Sequence, residues 1–434
     1  MSPGSSNISK ISPARRSAYE VLYRVETKRE FTSALLPEYE EKLQPVDRGL
    51  CHELVLGTLR RQIYLDRVID QLTDGKRLDI EVRIILRLGI FQLGFLERVP
   101  AHAAVNDAVA MTNRVKKSSA RGLVNAVLRK ASQQMPELTF TDDTERISVE
   151  TSHPRWLIER WAQQFGIDEA KAIAAANNQT PKLAFRKTLK SQSVDVSRFE
   201  LSKITDGCYI ADSFNEELRR MSEAGEIYFQ DEASQLMSNA LEVKAVESFL
   251  DVCAAPGGKT TAIASRAEQA LLIAGDITDR RVRLLRETCV KQGLDNINVV
   301  QYDAAFSLPF ADGEFDVVFV DAPCTGTGTI RHNPEIRYFV EPEDILRMQG
   351  TQLAILTNAA KAVKPGGRLI YSTCSLEPEE NELVARTFLA AHPHLQATPP
   401  AVPMSFLTPI GHGRTRPDRD NTDGFFIAEF RLER

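Results

Sequence analysis

The C-terminal half of the chain alternates short apolar segments with longer amphipathic ones, and this alternation restricts the possible folds more than any other feature. From residue 247 the apolar segments read ESFLDVC, ALLIAGDI, INVVQYD, FDVVFVD and GRLIYSTC, and GFFIAEFRL follows near the end. Amphipathic segments such as DRRVRLLRETCVKQG lie between them. Apolar strands that alternate with amphipathic helices predict a doubly wound, mostly parallel sheet, which binds ligands beyond the carboxyl ends of its strands.

The N-terminal part of the chain follows a different pattern. From residue 14 to residue 132, apolar residues recur at three- and four-residue spacing, which predicts a compact helical bundle. A further helical stretch and two short strand-like segments, LAFRKTL and GCYIAD, come next. We therefore predict a multidomain chain, with a flexible tail at 1–13, an all-α domain at 14–140, a small mixed α/β subdomain at 145–230 and an α/β domain at 231–434.

Composition narrows the class of protein. Hydrophobic residues make up 43% of the 434 residues and charged residues 26%, as in ordinary soluble proteins. No apolar run reaches the roughly 18 residues of a membrane span, and the N-terminus lacks the apolar core of a secretory signal. Six cysteines in a chain this long do not form a disulfide framework, and no CxxC pair or histidine cluster suggests a metal site. We expect a cytoplasmic, monomeric protein with free thiols and with neither a metal nor a membrane partner.

The net charge of −5 conceals two parts of opposite sign. Residues 1–140 carry a net charge of +6, and the remainder carries −11. A basic module favours a polyanionic partner such as RNA, although ordinary surface charge accounts for the same numbers. Between residues 114 and 130 there are six basic residues and no acidic one. We predict that this basic cluster contacts RNA phosphates; its members are Arg114, Lys116, Lys117, Arg121, Arg129 and Lys130.

The first strand of the α/β domain runs into a glycine-rich turn, DVCAAPGGKT. A phosphate loop requires a glycine where the chain has Cys253, and Pro256 removes one backbone N–H group from any phosphate cradle. The G-x-G-x-x-G pattern of dinucleotide sites is absent as well. S-adenosylmethionine remains the favoured ligand, because it carries no phosphate and needs a carboxylate for its ribose hydroxyls.

Acidic residues occupy the ends of the predicted strands. Asp276 ends the second strand, roughly 20 residues beyond the glycine-rich turn, where a carboxylate meets a ribose. Asp303 ends the third strand and is placed to reach the adenine, while Asp251 and Asp321 end the first and the fourth. A single aspartate at a strand end is often only a helix cap, but four of them in one sheet favour a site for S-adenosylmethionine.

Two cysteines follow strands in small-residue turns, Cys324 in DAPCTGTG and Cys374 in YSTCS. If the fourth and fifth strands are neighbours, both thiols face one crevice beside the methyl donor. A lone cysteine is most often a small buried hydrophobic residue, and we interpret Cys51, Cys208 and Cys289 in that way. A thiol beside a methyl donor is needed for methylation of a pyrimidine at C5, because addition of the thiolate to C6 makes C5 nucleophilic. Release of the product gives a second thiol a role.

At these residues the chain resembles the Sun (NOL1/NOP2/Sun) family of RNA cytosine-C5 methyltransferases. DVCAAPGGKT, DAPCTGTG and YSTCS occur in the order of that family, and YFQDEASQL and TDGFFIA match as well. The N-terminal block is similar to the RNA-binding factor NusB, notably in AHAAVNDAV and GLVNAVLRK. Together these features resemble the bacterial members that methylate small-subunit (16S) ribosomal RNA. The resemblance covers residues 14–432 and implies a NusB-like bundle followed by a Rossmann-like methyltransferase domain.

The resemblance also implies the roles of individual residues. In that family the cysteine after threonine is the nucleophile, here Cys374, and the cysteine after proline assists product release, here Cys324. Asp321 is implied to contact both the cofactor and the target cytosine. The implied contacts to S-adenosylmethionine are Cys253, Ala254, Ala255, Pro256, Gly257, Gly258, Lys259, Asp276, Asp303 and Asp321.

Two segments depart from the family pattern. AFRKTL replaces an LRVN-like strand, so that Lys187 and Thr188 are atypical, and the loop after Cys324 reads GTIRHNPEIRY, which is less basic than usual. We interpret both departures as affecting RNA contacts more than chemistry. Two alternatives stay open, the same chemistry on transfer RNA and a catalytically inert RNA-binding assembly factor. The intact pair of Cys374 and Cys324, together with Asp321, argues against the inert factor.

Overall fold

The structure is a computed structural model that describes residues 11–191, 194–267 and 269–434. The described residues form two compact units. The first contains the chain up to Asn178 together with Asn333–Phe339, and the second contains Gln179–His332 and Val340–Arg434. None of the described helices combines the length and the apolar character that crossing a bilayer requires.

The first unit is helical, as the three- and four-residue spacing predicts. A 3-10 turn at Ser118–Ala120 separates its sixth and seventh helices. The helices are α1 (Pro13–Lys28), α2 (Thr32–Glu40), α3 (Pro45–Arg60), α4 (Gln62–Leu72), α5 (Ile80–Phe95), α6 (Ala101–Arg114), α7 (Arg121–Gln133), α8 (Asp143–Thr151), α9 (Arg155–Phe165) and α10 (Ile167–Ala176).

Helix α5 lies at the centre of the bundle because its sequence is apolar on nearly every side. Its residues from Val82 to Gln92 are mostly buried, and it packs against α1, α3, α4, α6 and α7. Gly57 of α3 permits one of these contacts, since a Cβ atom there would lie 2.1 Å from the ring of Phe91. The absence of a side chain at Gly57 therefore lets two helices approach closely.

The flexible tail was predicted at residues 1–13, and residues 1–10 of it lie outside the described residues. Beyond residue 10, Ile11 packs against the core of the bundle and the backbone N–H of Ser12 donates to Asp107 at 3.2 Å. Helix α1 begins at Pro13, a residue well suited to the first turn of a helix because it lacks the N–H group that would be unpaired there.

The second unit contains a small antiparallel sheet with the strand order β2-β3-β1-β4. Its strands are β1 (Leu183–Lys187), β2 (Glu200–Leu201), β3 (Cys208–Ala211) and β4 (Ile227–Phe229). The region 145–230, predicted as one subdomain, spans the division between the two units. Helices α8 to α10 belong to the first unit, where they bury apolar residues such as Trp161, whereas the small sheet belongs to the second. The atypical Thr188 is buried and donates its hydroxyl to the carbonyl of Gly225 at 2.6 Å.

The second unit is built around the larger sheet, which has the order β10-β12-β9-β8-β5-β6-β7 with β11 paired to β12. The neighbours from β9 to β7 are parallel, and β10, β11 and β12 are antiparallel, which confirms the predicted, mostly parallel sheet. The strands are β5 (Ser248–Asp251), β6 (Leu271–Asp276), β7 (Ile297–Gln301), β8 (Phe315–Asp321), β9 (Val363–Thr373), β10 (Leu395–Thr398), β11 (Gly413–Arg414) and β12 (Phe426–Leu432).

The helices from residue 216 onward are interspersed with these strands along the chain, and most belong to the second unit. Two 3-10 turns at Thr327–Thr329 and Met404–Phe406 accompany them. The helices are α11 (Glu216–Glu223), α12 (Glu232–Ala240), α13 (Gly258–Ala264), α14 (Asp279–Gln292), α15 (Ile336–Phe339), α16 (Pro342–Lys361), α17 (Glu382–Ala391) and α18 (Pro417–Asp420). Among them, α15 lies in the segment Asn333–Phe339 and so belongs to the first unit.

The segment Asn333–Phe339 is held in the first unit by buried polar side chains. The carboxylate of Glu335 accepts hydrogen bonds from the N–H and the hydroxyl of Thr32, at 2.7 and 2.8 Å. The guanidinium of Arg337 donates to the carbonyl of Thr151 at 3.1 Å, and burial lowers its pKa to about 10, so it keeps its charge. Both side chains are buried, so Glu335 and Arg337 are not placed to contact RNA directly, and the interpretation of this loop as affecting RNA contacts more than chemistry stays a prediction.

Candidate active site

The carboxyl ends of β8 and β9 bring two motif cysteines together. The two strands are parallel neighbours, with Asp321 in register with Ser372, so the condition under which both thiols face one crevice is met. Cys374 directly follows β9, and Cys324 lies three residues beyond the end of β8. Their sulfur atoms are 3.1 Å apart, and both residues are partly exposed. The two thiols therefore share one surface at the edge of the sheet where ligands bind.

Two cysteines of this region, Cys324 and Cys253, have raised pKa values. The hydrogen-bonded contact with Cys374, followed by burial, raises the pKa of Cys324 well above its usual range. Cys324 is accordingly a protonated thiol at neutral pH, able to donate a hydrogen bond to the sulfur of Cys374. Burial, followed by the Asp251 carboxylate, raises the pKa of Cys253 well above its usual range too. Cys253 is thus an unreactive part of the glycine-rich turn.

Lys259 and Asp321 form an ion pair beside the cysteines. The ammonium of Lys259 donates to Oδ2 of Asp321 at 2.6 Å, and the hydroxyl of Ser372 donates to Oδ1 at 3.0 Å. Burial acts to lower the pKa of Lys259, but the Asp321 carboxylate outweighs burial and the pKa is raised, with Cys374 acting in the same direction. The site therefore contains a permanent positive charge near Cys374, the kind of neighbour beside which reactive thiolates occur.

The glycine-rich turn between β5 and α13 packs closely against α14 and is held to the strand-end carboxylate of Asp276. Gly257 has a φ of +104°, and a Cβ atom there would lie 2.8 Å from the side chain of Leu285. The N–H of Ala255 donates to Oδ2 of Asp276 at 2.9 Å, and Arg281 pairs with the other oxygen. Because Lys259 is bound to Asp321, it is not free to hold a phosphate. These features fit the phosphate-free S-adenosylmethionine and agree with the exclusion of a nucleotide loop.

The remaining strand-end carboxylates have different surroundings. Asp251 is buried and accepts a hydrogen bond from the hydroxyl of Thr260 at 2.6 Å, and burial raises its pKa to about 7. The hydrogen bonds from Thr260 and from the backbone of Cys253 oppose that rise in pKa. Asp303 lies two residues beyond β7 and accepts from the backbone N–H of Ala305 at 3.0 Å. The predicted contact of Asp303 with the adenine stays a prediction.

One group of side chains within the described ranges has the composition of a metal site. The potential ligand atoms of Asp231, His332 and Asp423 lie within 4.8 Å of one another. Nδ1 of His332 is 2.9 Å from Oδ1 of Asp423, and Asp231 accepts from the hydroxyl of Thr422 at 2.7 Å and from the N–H of Ala233 at 2.8 Å. Burial acts to lower the pKa of His332, but the Asp423 carboxylate outweighs it and the pKa is raised. An ion pair and a helix cap account for the group, and the expected lack of a metal stays a prediction.

The basic cluster extends from the end of α6 through the 3-10 turn into α7. Two of its members are paired within the first unit, Arg114 with Glu20 at 2.9 Å and Lys117 with Asp79 at 2.8 Å. The other four are exposed and make no ion pair with the described residues; they are Lys116, Arg121, Arg129 and Lys130. These four are the members best placed to meet a polyanion.

Sequence reasoning missed the side chains that support the site from behind. Glu380 is buried and accepts hydrogen bonds from Thr325 and Ser375, the residues that follow the two cysteines. The only feature of the sequence that pointed to Glu380 was the acidic run EPEEN after YSTCS, and an exposed loop explains that run equally well. Arg186 of the small sheet is buried too, and it donates to the carbonyl of Gly258 at 3.0 Å. A buried arginine could not be distinguished in the sequence from a surface one.

Three parts of the chain match known families. Residues 238–431 match the family described as 16S rRNA methyltransferase RsmB/F, and residues 12–133 match the NusB family. Residues 153–202 match the ferredoxin-like domain of RsmF/RsmB-like methyltransferases. The three matches together extend over most of the chain.

Individual proteins resemble the chain over nearly its whole length. The ribosomal RNA small subunit methyltransferase B of Pseudomonas putida is 33% identical over 409 residues, which is 91% of this chain and 92% of the relative. Among solved structures, PH0851 superposes with a TM-score of 0.84 at 26% identity, over 98% of this chain and 99% of its own. NSun6 from Pyrococcus horikoshii, solved with SFG, shares the fold with a TM-score of 0.55 at 21% identity, over 65% of this chain and 98% of its own.

Proposed function

The chain belongs to the RsmB/RsmF family of 16S rRNA methyltransferases, and from this premise we propose that it methylates C5 of a cytosine in 16S ribosomal RNA with Cys374 as the nucleophile. The observation that carries the proposal is the 3.1 Å contact between the sulfur atoms of Cys374 and Cys324 at the ends of neighbouring strands. S-adenosylmethionine, when bound at the glycine-rich turn, supplies an electrophilic methyl group. The protein's own residues supply the nucleophile and the means of releasing it.

Cys374 forms a bond from its sulfur to C6 of the cytosine. Electron density then moves to C5, which takes up the methyl group. Once the C5 proton has been removed, its electron pair becomes the C5–C6 double bond and the sulfur leaves with the C–S pair. Cys324, protonated and in contact with Cys374, donates a hydrogen bond to the departing sulfur and so stabilises its negative charge.

Asp321 orients the base in this scheme. A carboxylate oxygen accepts about two hydrogen bonds, and each oxygen of Asp321 receives one, from Lys259 or from Ser372. The side chain is 30% exposed, so its remaining acceptor sites are accessible. These acceptor sites suit the N4 amino group of cytosine, which donates hydrogen bonds to carboxylates and which uracil lacks.

Replacing Asp276 with alanine is expected to weaken the binding of S-adenosylmethionine roughly 10- to 100-fold, the usual effect of losing a hydrogen bond to a charged group. The carboxylate is proposed to receive the ribose hydroxyls, and it also holds the glycine-rich turn through the N–H of Ala255. Titration calorimetry measures the affinity. Asp279→Ala, which removes an exposed carboxylate from the first turn of α14, serves as the control and should bind normally. Wild-type affinity in Asp276→Ala would show that the ribose lies elsewhere.

Reversing two charges of the basic cluster is expected to weaken RNA binding. Lys116→Glu combined with Arg121→Glu removes two exposed cations. The slope of the logarithm of the binding constant against the logarithm of the salt concentration should become shallower by about 1.4, at about 0.7 for each lost phosphate contact. A filter-binding titration against salt measures this slope. The control is Lys28→Glu with Lys42→Glu, which changes the charge equally on other exposed positions of the same unit. Equal affinities for the two double variants would remove the basic cluster from the interface.

Bisulfite sequencing of total RNA from a strain that lacks the gene tests the substrate. We expect one cytosine of 16S ribosomal RNA to lose its protection from conversion. Loss of protection in a transfer RNA alone would assign the same chemistry to that other substrate. An unchanged pattern in all RNA would favour an inert assembly factor instead.

The protein is further proposed to act as a cytoplasmic monomer without a metal. All six of its cysteines are free, in keeping with a reducing compartment, and the substrate of its family is found there. Light scattering of the purified protein at the mass of one chain, and full activity after dialysis against a chelator, are the expected results.

A further inference from the structure

Glu380 is a buried carboxylate directly behind the two cysteines, in the turn before α17. Its Oε1 accepts hydrogen bonds from the N–H of Thr325 at 2.8 Å and from the side-chain amide of Gln352 at 3.1 Å. Its Oε2 accepts from the hydroxyls of Thr325 and Ser375. Four donors occupy the four acceptor sites of an ionised carboxylate.

These hydrogen bonds fix the backbone on both sides of Cys324. The N–H of the following residue, Thr325, is held by Glu380, and the carbonyl of the preceding residue, Pro323, accepts from Gln352 at 2.9 Å. The same carboxylate holds Ser375, the residue after the second cysteine. A single side chain thus joins the two cysteine-bearing turns and fixes the distance between their sulfur atoms.

Burying a carboxylate costs free energy, and packing between the two cysteine-bearing turns alone would not require a charged group. Burial raises the pKa of Glu380, and the hydrogen bonds from Ser375 and Thr325 oppose that effect. Glu380 is also among the groups that raise the pKa of Cys324, after the contact with Cys374 and burial. Its charge therefore helps to keep Cys324 protonated, as a donor to the departing sulfur must be.

We propose that Glu380 is a positioning residue for product release, which holds the thiol of Cys324 against the sulfur of Cys374. The proposal rests on the proposed roles of the two cysteines. In the release step the C5 proton passes to water and its electron pair forms the C5–C6 double bond. The sulfur of Cys374 leaves with the C–S electron pair, stabilised by the hydrogen bond from Cys324. Glu380 acts through Cys324 rather than on the base.

Glu380→Gln is the direct test, because it keeps the size of the side chain but replaces one acceptor oxygen with a donor. We expect kcat to fall on the order of 10²-fold with KM for RNA unchanged, as for other small misplacements of a reacting group. A protein–RNA adduct that survives denaturation should accumulate. Glu379→Gln removes the same charge from the adjacent, half-buried residue and should retain wild-type turnover without an adduct. A wild-type kcat for Glu380→Gln would overturn the proposal.

A double variant separates positioning from a general structural role. If Glu380 acts through Cys324, Glu380→Gln should lower activity no further when Cys324→Ala is already present. An additional loss of about tenfold or more in the double variant would contradict the proposal, since independent effects multiply. If Glu380→Gln does not fold, Thr325→Val removes one of the donors and should show the same changes at smaller size, and an unchanged kcat would then overturn the proposal.

Oxidation of the free protein supplies a readout that does not depend on RNA. Diamide takes two electrons and two protons from the thiols of Cys324 and Cys374 and joins them in a disulfide, which peptide mass mapping identifies. The rate should fall about tenfold or more in Glu380→Gln, because the sulfur atoms are no longer held in contact. An unchanged rate would show that Glu380 does not position Cys324. Turnover of Cys324→Ala without an adduct would refute the proposed roles of the cysteines and leave this oxidation test valid.

Discussion

Cys374→Ala is expected to abolish methylation, with a loss on the order of 10⁴-fold or more, as when other enzymes lose their nucleophile. Without the sulfur, C6 of the cytosine receives no electron pair, and C5 is too weakly nucleophilic to take a methyl group unaided. Cys324 is a poor substitute although its sulfur lies only 3.1 Å away, because burial and the Glu380 carboxylate still raise the pKa of its thiol when the contact with Cys374 is removed. Transfer of a labelled methyl group to RNA measures the loss.

The control for Cys374→Ala is Cys289→Ala, which removes a buried thiol from α14 and should remain active. Both variants should bind S-adenosylmethionine as the wild type does, since neither residue belongs to the glycine-rich turn. Substantial methylation by Cys374→Ala would mean that a different group attacks the base, and the proposed role of this cysteine would be wrong.

Cys324→Ala is expected to trap the enzyme on its substrate. Attack by Cys374 and methyl transfer remain possible, but the sulfur must leave without a hydrogen-bond donor beside it. Turnover should fall about 10²- to 10⁴-fold, the range that a positioned acid contributes. RNA should stay attached to Cys374 in a complex that survives denaturing electrophoresis, and the double variant with Cys374→Ala should lose that complex.

Mapping the trapped adduct distinguishes the two cysteines. Digestion and mass spectrometry should place the nucleotide on the peptide that contains Cys374. Normal turnover of Cys324→Ala would exclude Cys324 from product release, and an adduct on Cys324 in the wild type would reverse the two roles.

The fold of the second unit could be predicted from sequence because its strands are buried on both faces and therefore apolar throughout. The segment FDVVFVD corresponds to β8, Phe315–Asp321, residue for residue. In contrast, β10 (Leu395–Thr398) and β11 (Gly413–Arg414) are short antiparallel strands at the margin of the sheet, with too few residues to show a period. The division of the region 145–230 between the two units could not be predicted from the sequence, because it depends on which surface covers the apolar faces of α8 to α10.

The site was only partly predictable for a related reason. Residues at strand ends, such as Asp276 and Asp321, follow from the rule that parallel strands place their carboxyl ends at one edge. The partners of those residues come from distant parts of the chain. Lys259 lies 62 positions before Asp321, and Glu380 lies 55 positions after Thr325, so their hydrogen bonds exist only in the folded chain. The sequence identified Lys259 as part of the glycine-rich turn but not as the partner of Asp321.

The identity of the methylated nucleoside tests the central claim most directly. Purified protein, isolated 16S ribosomal RNA and S-adenosylmethionine labelled in its methyl group are incubated together, and the RNA is digested to nucleosides. The account predicts that the label appears in 5-methylcytidine with the wild type and is lost with Cys374→Ala. Label in N4-methylcytidine or in a ribose-methylated nucleoside, or label that persists with Cys374→Ala, would contradict it.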